Sequence, residues 1–250
     1  MKVSIITVCL NAVEIVEDTI RSVLAQDYPG TEYIVVDGGS TDGTLEIIRK
    51  YARSISKTIS ESDKGTYDAM NKGIKMATGD IVGFLNAGDF YATHDAISSV
   101  VACLQQSDAD AVYADLEYVA EHNPAKTVRI WRSQPFRDGL FEKGWHPPHP
   151  TFFVKKRLFE KYGCFDVDYK ISADYELMLR LLRKHGIKSR HIPRVLVRMR
   201  TGGKSNRNLQ QIFKANIECF NAWRKNHLAV SPLIMLRKPL SKLLQYVRRD

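Results

Sequence analysis

The stretch Ser62-Asp63-Lys64-Gly65-Thr66-Tyr67-Asp68-Ala69-Met70-Asn71-Lys72-Gly73, with Gly79-Asp80-Ile81-Val82-Gly83-Phe84-Leu85-Asn86-Ala87-Gly88-Asp89 after it, decides the fold class. A polar loop leads into a helix, the helix into an apolar strand, and the strand stops at a turn that ends on a carboxylate. Such an acid lies at the carboxyl edge of a sheet, where open α/β sheets bind their ligands.

The same order recurs upstream. Val3 to Val8 is an apolar run ending at Cys9-Leu10-Asn11, and Tyr33-Ile34-Val35-Val36 ends at Asp37. Helical spacing separates them: Ile15, Val16, Ile20, Val23 and Leu24 in one segment, then Leu45, Ile47, Ile48 and Tyr51 in the next. Strand alternating with helix predicts a parallel sheet whose strand ends deliver Asn11, Asp37 and Asp89 to one edge. A third strand is expected over Thr58 to Ser60, and Thr41 or Asp42 is expected to cap the helix after Gly38-Gly39-Ser40.

The chain has 250 residues, 44% of them hydrophobic, enough for one substantial core. It contains no run of the roughly 18 to 20 apolar residues that a membrane span needs. The short apolar stretch after Lys2 leads straight into strand pattern and lacks a cleavage signal, so it reads as a buried first strand. Cys9, Cys103, Cys164 and Cys219 lack the paired spacing of metal or redox sites, and reduced thiols in a cytoplasmic protein are expected. The net charge of +9 lies wholly in residues 200–250, where 11 Lys and Arg face two acids; residues 1–199 hold 26 of each sign. A neutral body with a basic tail points to an anionic surface or ligand.

Four motifs in order carry a resemblance: Ser4-Ile5-Ile6-Thr7-Val8-Cys9-Leu10-Asn11, Val36-Asp37-Gly38-Gly39-Ser40-Thr41-Asp42-Gly43-Thr44, Asp68-Ala69-Met70-Asn71-Lys72-Gly73 with the Asp89 loop, and Ala173-Asp174-Tyr175-Glu176-Leu177. The chain resembles glycosyltransferase family 2 over roughly residues 1 to 205. The resemblance implies a GT-A fold: an α/β, Rossmann-like mixed sheet flanked by helices. It divides the chain into a nucleotide-sugar half (1–100), an acceptor half (101–205) and a basic helical tail (206–250).

By that resemblance Asp37 contacts the nucleobase, a role its carboxylate can fill by accepting an imide or amide N–H, and Asp63 lines the nucleotide pocket. Thr7, Cys9, Asn11, Asp68, Asn71, Lys72, Asn86, Ala87 and Gly88 are carried over to the donor side. Asp68 and Asn71 share a helix face, which suits either a polar network under the site or direct ligand contact. Asp89 corresponds to the last acid of an Asp-x-Asp-type motif that holds Mg²⁺ or Mn²⁺ against the donor pyrophosphate, neutralising the charge that builds on the leaving group. Asn86 and Gly88 stand where acids are common, so one strong carboxylate remains.

In the second half, Ala111 to Asp115 and Thr127 to Trp131 flank a Glu121-His122-Asn123-Pro124 turn and read as a hairpin. Its Tyr113 and Asp115 serve either substrate contact or packing. Gly144-Trp145-His146-Pro147-Pro148-His149-Pro150 is an extended loop, since three prolines exclude regular structure. The resemblance puts His149 on the active-site wall, and His146 near it. Inverting transfer needs a carboxylate to take the acceptor proton, and the resemblance gives that role to Asp174 at the start of a helix Asp174 to Lys184. A plain helix cap is the alternative, and Ala173 replaces an acid usual in the family. Arg198-Met199-Arg200-Thr201-Gly202-Gly203-Lys204-Ser205 is basic and glycine-hinged, so Arg200, Lys204 and Ser205 are expected to close on a diphosphate. Its ending looks like a P-loop, but Arg198 stands where that loop needs glycine. The histidine metal ligand that many relatives carry in this segment is missing.

Beyond it, Ile212, Ala215, Ile217, Phe220 and Trp223 approach helical spacing, and Leu233 to Val247 forms a second basic amphipathic stretch interrupted by Pro239. The tail is expected either to lie on an anionic membrane, on the inner face of the plasma membrane, or to pack on the domain or a second subunit of a homodimer. The basic residues lack the interleaved aromatics of a nucleic-acid binder. These readings predict a transferase that uses a nucleotide-diphosphate sugar, UDP first with GDP and dTDP open, and a glycan or lipid-linked acceptor, as in bacterial surface-polysaccharide assembly. The rival classes are a sugar-phosphate nucleotidyltransferase and a non-catalytic nucleotide-binding scaffold.

Overall fold

A computed structural model describes residues 1–202 and 209–231. Among the described residues, nine strands form one mixed sheet flanked by helices. The first half alternates as the sequence predicts: β1 (Val3–Cys9), α1 (Val16–Leu24), β2 (Thr31–Asp37), α2 (Thr44–Lys50), β3 (Lys57–Ser60), α3 (Thr66–Met76) and β4 (Ile81–Phe84). β1 lies between β2 and β4, with β3 outside β2, all parallel. Every residue of β1 is buried, since helices cover both faces and leave no polar side to alternate with. Ile6, Val8, Ile34, Val36 and Phe84 face α3 and the later helices, whereas Val3, Ile5, Tyr33, Val35 and Leu85 face α1 and α4 (Ala96–Gln105). Gly73 lets α3 approach β1, because a Cβ there would sit 2.4 Å from Ile6 Cγ2.

The second half adds β5 (Asp89–Tyr91), β6 (Ala111–Ala120), β7 (Asn123–Trp131), β8 (Phe153–Lys155), α5 (Arg157–Tyr162), α6 (Ala173–Met178), β9 (Ser189–Arg200) and α7 (Leu209–Lys225). β8 joins β4 to β6 by antiparallel pairing on both sides; β9 runs parallel to β6 and antiparallel to β5. The sheet order is therefore β3-β2-β1-β4-β8-β6-β9-β5, with β7 on the remaining edge of β6.

Several expectations change. Asp89 does not end in a loop but opens β5, opposite Met199. Arg198 and Arg200 are strand residues held between β5 and β6 rather than parts of a closing loop; Lys204 and Ser205 lie outside the described residues. The hairpin strands are longer than predicted and meet across Glu121 and His122 alone. Asp174 is the second residue of α6, which passes at Leu179–Lys184 into a wider π-type turn. The cap before α2 is Gly43, and Asp42 instead accepts from the amide of Thr44 at 3.0 Å. Leu24 is exposed.

The first part of the tail packs on the body. Cys219, Ala222 and Trp223 of α7 are buried in the same core cluster as α3 and α6, while Ile212 and Ile217, read as part of the apolar face, are exposed. The inward face keeps Phe220 and Trp223 of the predicted stripe and adds Cys219 and Ala222. The second amphipathic stretch, Leu233 to Val247, lies outside the described residues. No helix among the described residues is long and apolar enough to cross a membrane.

Candidate functional site

The carboxyl ends of β1, β2, β3 and β4 lie side by side, because Cys9 pairs with Asp37 and Asp37 with Ser60, while Ala87 donates its amide to Val8. Asp37 is fully buried and organises this edge. Its Oδ2 accepts from the amides of Gly39 (3.1 Å) and Ser40 (2.9 Å) and from Ser60 Oγ (2.7 Å), and its Oδ1 from Ser40 Oγ and Cys9 Sγ. Burial alone would raise its pKa; these hydrogen bonds outweigh burial and hold it below the usual carboxylate value. The expected contact from Asp37 to a nucleobase is therefore corrected: both oxygens are engaged in shaping the Gly38-Gly39-Ser40 turn. Cys9 packs beneath, its thiol pKa raised by burial and by Asp37.

Around that turn the exposed groups converge. Asn11, in the left-handed region at φ 48°, accepts from the Thr41 amide through Oδ1 (3.0 Å) and donates its own amide to Ser40 Oγ (2.8 Å). Asp63, half-buried, caps Gly65 N–H (2.7 Å) and lies against Gly38, where a Cβ would come within 2.5 Å of its Oδ2. Other predicted donor residues are spent on the fold. Thr7 is wholly buried, donating to Leu85 O and accepting from Tyr33. Asn71 forms a two-way bond with the backbone of Phe165, at 2.9 Å in each direction. Lys72 binds Ser62 O and Glu61, tying α3 to the loop before it. Asp68 receives the Lys64 amide at 3.0 Å, so the polar network, not ligand contact, describes the Asp68–Asn71 face.

Asp89 is different. It is 5% exposed, and among the described residues no side chain donates a hydrogen bond to its carboxylate. Burial pushes its pKa up to about 8, against the pull of Arg200. Its backbone is fixed by Thr19, whose Oγ1 donates to Asp89 O (2.7 Å) and accepts from Gly88 N–H (3.0 Å). Gly88 makes the turn at φ 97°, and the Asn86 carbonyl accepts the Asp89 amide. The Asn86 side-chain oxygen is buried without a partner among the described residues, and Ala87 is half-buried beside it. Arg200 bonds Asp18 and the Glu121 carbonyl, which holds its guanidinium beside the β5 end.

Across the edge stands Asp174, half-buried, its Oδ1 3.2 Å from the hydroxyl of Tyr67 in the first turn of α3. The same hydroxyl donates to Ile171 O at 2.7 Å. Burial first, and the Asp174 charge second, raise the Tyr67 pKa well above its ordinary value, so it remains a donor. His149 is 8% exposed, stacks on Phe84 with ring centroids 5.4 Å apart, and finds no partner for either ring nitrogen among the described residues. Burial lowers its pKa and Asp174 opposes this, so the imidazole is neutral at pH 7. His146 is buried between Trp131 and Tyr175, its Nδ1 3.0 Å from Pro147 O, and belongs to the wall's packing. Tyr113 donates to Gln134 O and Asp115 pairs with His191, so both serve the hairpin's packing.

The family model described as glycosyl transferase family 2 matches residues 4–163, which includes the Asp37 turn, the Asp89 loop and His149. The chain belongs to glycosyl transferase family 2. It is a glycosyltransferase by that membership. An uncharacterized glycosyltransferase of Mycobacterium tuberculosis is 33% identical over 180 residues, covering 71% of this chain and 68% of that protein. A PGL/p-HBAD biosynthesis glycosyltransferase of Mycobacterium bovis is 30% identical over 216 residues, covering 81% and 78%. Among solved structures, Staphylococcus aureus TarS 1–349 in complex with UDP superposes with a TM-score of 0.63 at 17% identity, over 88% of this chain and 66% of that one. The mannosyltransferase PcManGT from Pyrobaculum calidifontis, in complex with GDP-Man and Mn²⁺, gives 0.67 at 21% identity, over 100% and 70%. These likenesses show the GT-A fold.

Protein ligands for a metal are sparse. Among the described residues no three His, Cys, Asp or Glu side chains converge. The single uncompensated carboxylate of Asp89 fits a hard cation that takes its other oxygen ligands from elsewhere. Sequence reading passed over Tyr67, Thr19, Ser40 and Ser60. Tyr67 and Ser40 lie inside the quoted motifs, Ser60 ends a strand, and Thr19 interrupts the apolar face of α1; each left a local signal without a partner to explain it.

Proposed function

We propose that this chain moves a sugar, with inversion, from a nucleotide-diphosphate donor to a hydroxyl of a glycan or lipid-linked acceptor. One observation carries the reading: Asp174 faces the donor edge with a single weak donor, Tyr67, on its carboxylate, beside a neutral His149. A carboxylate so placed takes the acceptor proton as the acceptor oxygen bonds to the anomeric carbon. The anomeric bond to the diphosphate breaks on the opposite face, and the nucleoside diphosphate leaves with the electron pair. Asp63, Asn11 and the Gly38-Gly39 backbone form the base-side rim. His149 offers a neutral donor and acceptor to sugar hydroxyls. Asp89 would hold Mg²⁺ or Mn²⁺, which when bound supplies charge neutralisation to the leaving diphosphate.

UDP is favoured as carrier because a structural neighbour was solved with UDP and, in a second structure, with UDP-GlcNAc, while GDP-Man and Mn²⁺ in another keep GDP in the comparison. The relative named for PGL/p-HBAD biosynthesis supports a biosynthetic role for the transfer. A thermal-shift panel of UDP, UDP-GlcNAc, GDP and GDP-Man, with and without Mn²⁺, selects the donor; saturation at a hundred times Kd adds about 2.7 kcal/mol. Asp174→Asn is then expected to lose about 10²- to 10⁴-fold in turnover while binding the nucleotide as wild type does. Wild-type turnover in that variant would remove Asp174 as the base, and no shift with any nucleotide would favour the scaffold reading.

A further inference from the structure

The turn that launches Asp174 is held from outside its own helix. Glu218, in the middle of α7, accepts three consecutive backbone amides: Lys170 through Oε1 at 3.0 Å, and Ile171 and Ser172 through Oε2 at 2.9 and 2.8 Å. Ser172 is the N-cap residue of α6, yet its side chain makes no cap bond; its hydroxyl donates to Ala215 O in α7 at 3.1 Å. A helix start needs acceptors for its unpaired amides, and a carboxylate facing successive N–H groups is a strong one. Here the acceptor comes from α7, 46 residues away. The carbonyl of Ile171, between two of those amides, accepts the Tyr67 hydroxyl that also touches Asp174. Glu218, the 170–172 turn, Tyr67 and Asp174 therefore form one connected unit. The docking of α7 has separate anchors: Trp223 Nε1 to Tyr175 OH at 2.9 Å and Asn226 Nδ2 to Glu176 Oε1 at 2.9 Å.

We propose that Glu218 is a positioning residue for Asp174, so that α7, a helix beyond the part of the chain matched by the family model, completes the acceptor side of the site. The proposal rests on Asp174 being the base. Because α7 is anchored independently at Trp223 and Asn226, loss of the Glu218 carboxylate releases the turn without releasing the helix.

The test uses the full chain with UDP-GlcNAc, UDP-glucose and GDP-mannose, Mn²⁺ present, water as acceptor, and released nucleotide as the readout. Glu218→Ala is expected to lower kcat about 10- to 100-fold, the size of effect that small misplacement of a reacting group produces, with KM for the sugar nucleotide unchanged. In an Asp174→Asn background the same change should cost less than about twofold, since residues acting as a unit are not additive. Amide exchange should quicken at 170–174 and stay slow around Trp223. Glu218→Gln, which keeps the length and one acceptor oxygen, should fall between wild type and Glu218→Ala, and it serves as the folded variant where Ala melts too low. An undiminished kcat in both variants, or an equal loss in the Asp174→Asn background, overturns the positioning role. Wild-type hydrolysis by Asp174→Asn overturns the base itself, and the exchange result then still reports whether Glu218 holds the turn.

Discussion

Asp89 is buried as deeply as Asp37, and the two differ in what donates to them. Asp37 receives five hydrogen bonds and stays ionised; Asp89 receives none from the described side chains and takes up a proton at neutral pH. The folded chain thus binds more protons than the unfolded chain between 3.8, the ordinary carboxyl value, and about 8. Stability is fully present below that window and falls as pH rises through it. Melting temperature is expected to decline over this range in the absence of metal, and Asp89→Asn should flatten the decline. A cation reverses the sign by favouring the ionised carboxylate. Binding of Mn²⁺ with UDP at pH 7 should therefore release about one proton, measured by calorimetry in buffers of different ionisation heat. Uptake or no exchange would refute the cation assignment. None of this was legible locally, since both acids lie just beyond an apolar strand and next to glycine, Asp37 before Gly38 and Asp89 after Gly88.

At the scale of elements, the parallel half was readable because burial on both faces writes itself as unbroken apolar runs. β9 was not. Pro193 sits inside its alternating pattern, and a proline normally excludes a central strand. The pairing with β6 jumps from Ala114 opposite Ile192 to Asp115 opposite Val195, so Pro193 and Arg194 fall in a bulge that asks no ladder bond of the proline. β5, with three residues, is too short to show a period. The loops after β2 and β3 meet at Gly38, where only a missing side chain allows Asp63 its place. Gly38→Ala is expected to push the Asp63 loop outward at a cost of about 1–3 kcal/mol shared between folding and binding. The expected result is about a tenfold rise in the Kd for UDP, read by titration. An unchanged Kd would show that this rim does not touch the nucleotide.

At the scale of the molecule, the described part of the basic tail is no appendage. Its first helix belongs to the core, with Trp223 fully buried and bonded to Tyr175 directly after Asp174 in sequence. Trp223→Ala should cost about 3–5 kcal/mol, and wild type should unfold in a single transition by circular dichroism and fluorescence. A separate low-temperature step for α7 would argue that it folds as an appendage. The predicted stripe of α7 was right in part. Trp223 and Phe220 do turn inward, joined by Cys219 and Ala222, whereas Ile212 and Ile217, at the same helical spacing, are exposed. Amphipathic spacing shows that a helix has an apolar face; only the shape of the opposing surface shows which residues fit it.

By itself the sequence carried, in its motifs, the resemblance to glycosyltransferase family 2 with its GT-A fold, and it determined the order of strands and helices in the parallel half and the edge at which the acidic residues gather. That order and that edge follow from chain-local physics: side-chain periodicity, turn chemistry and the placement of strand ends. The tertiary structure alone decided which acids are free to act. Asp37 is satisfied by Ser60 and Asp89 is faced by Arg200, while Asp174 is set by Tyr67 and, through its turn, by Glu218. A carboxylate's availability depends on the donors around it, and folding brings those donors from 23 to more than 100 residues away.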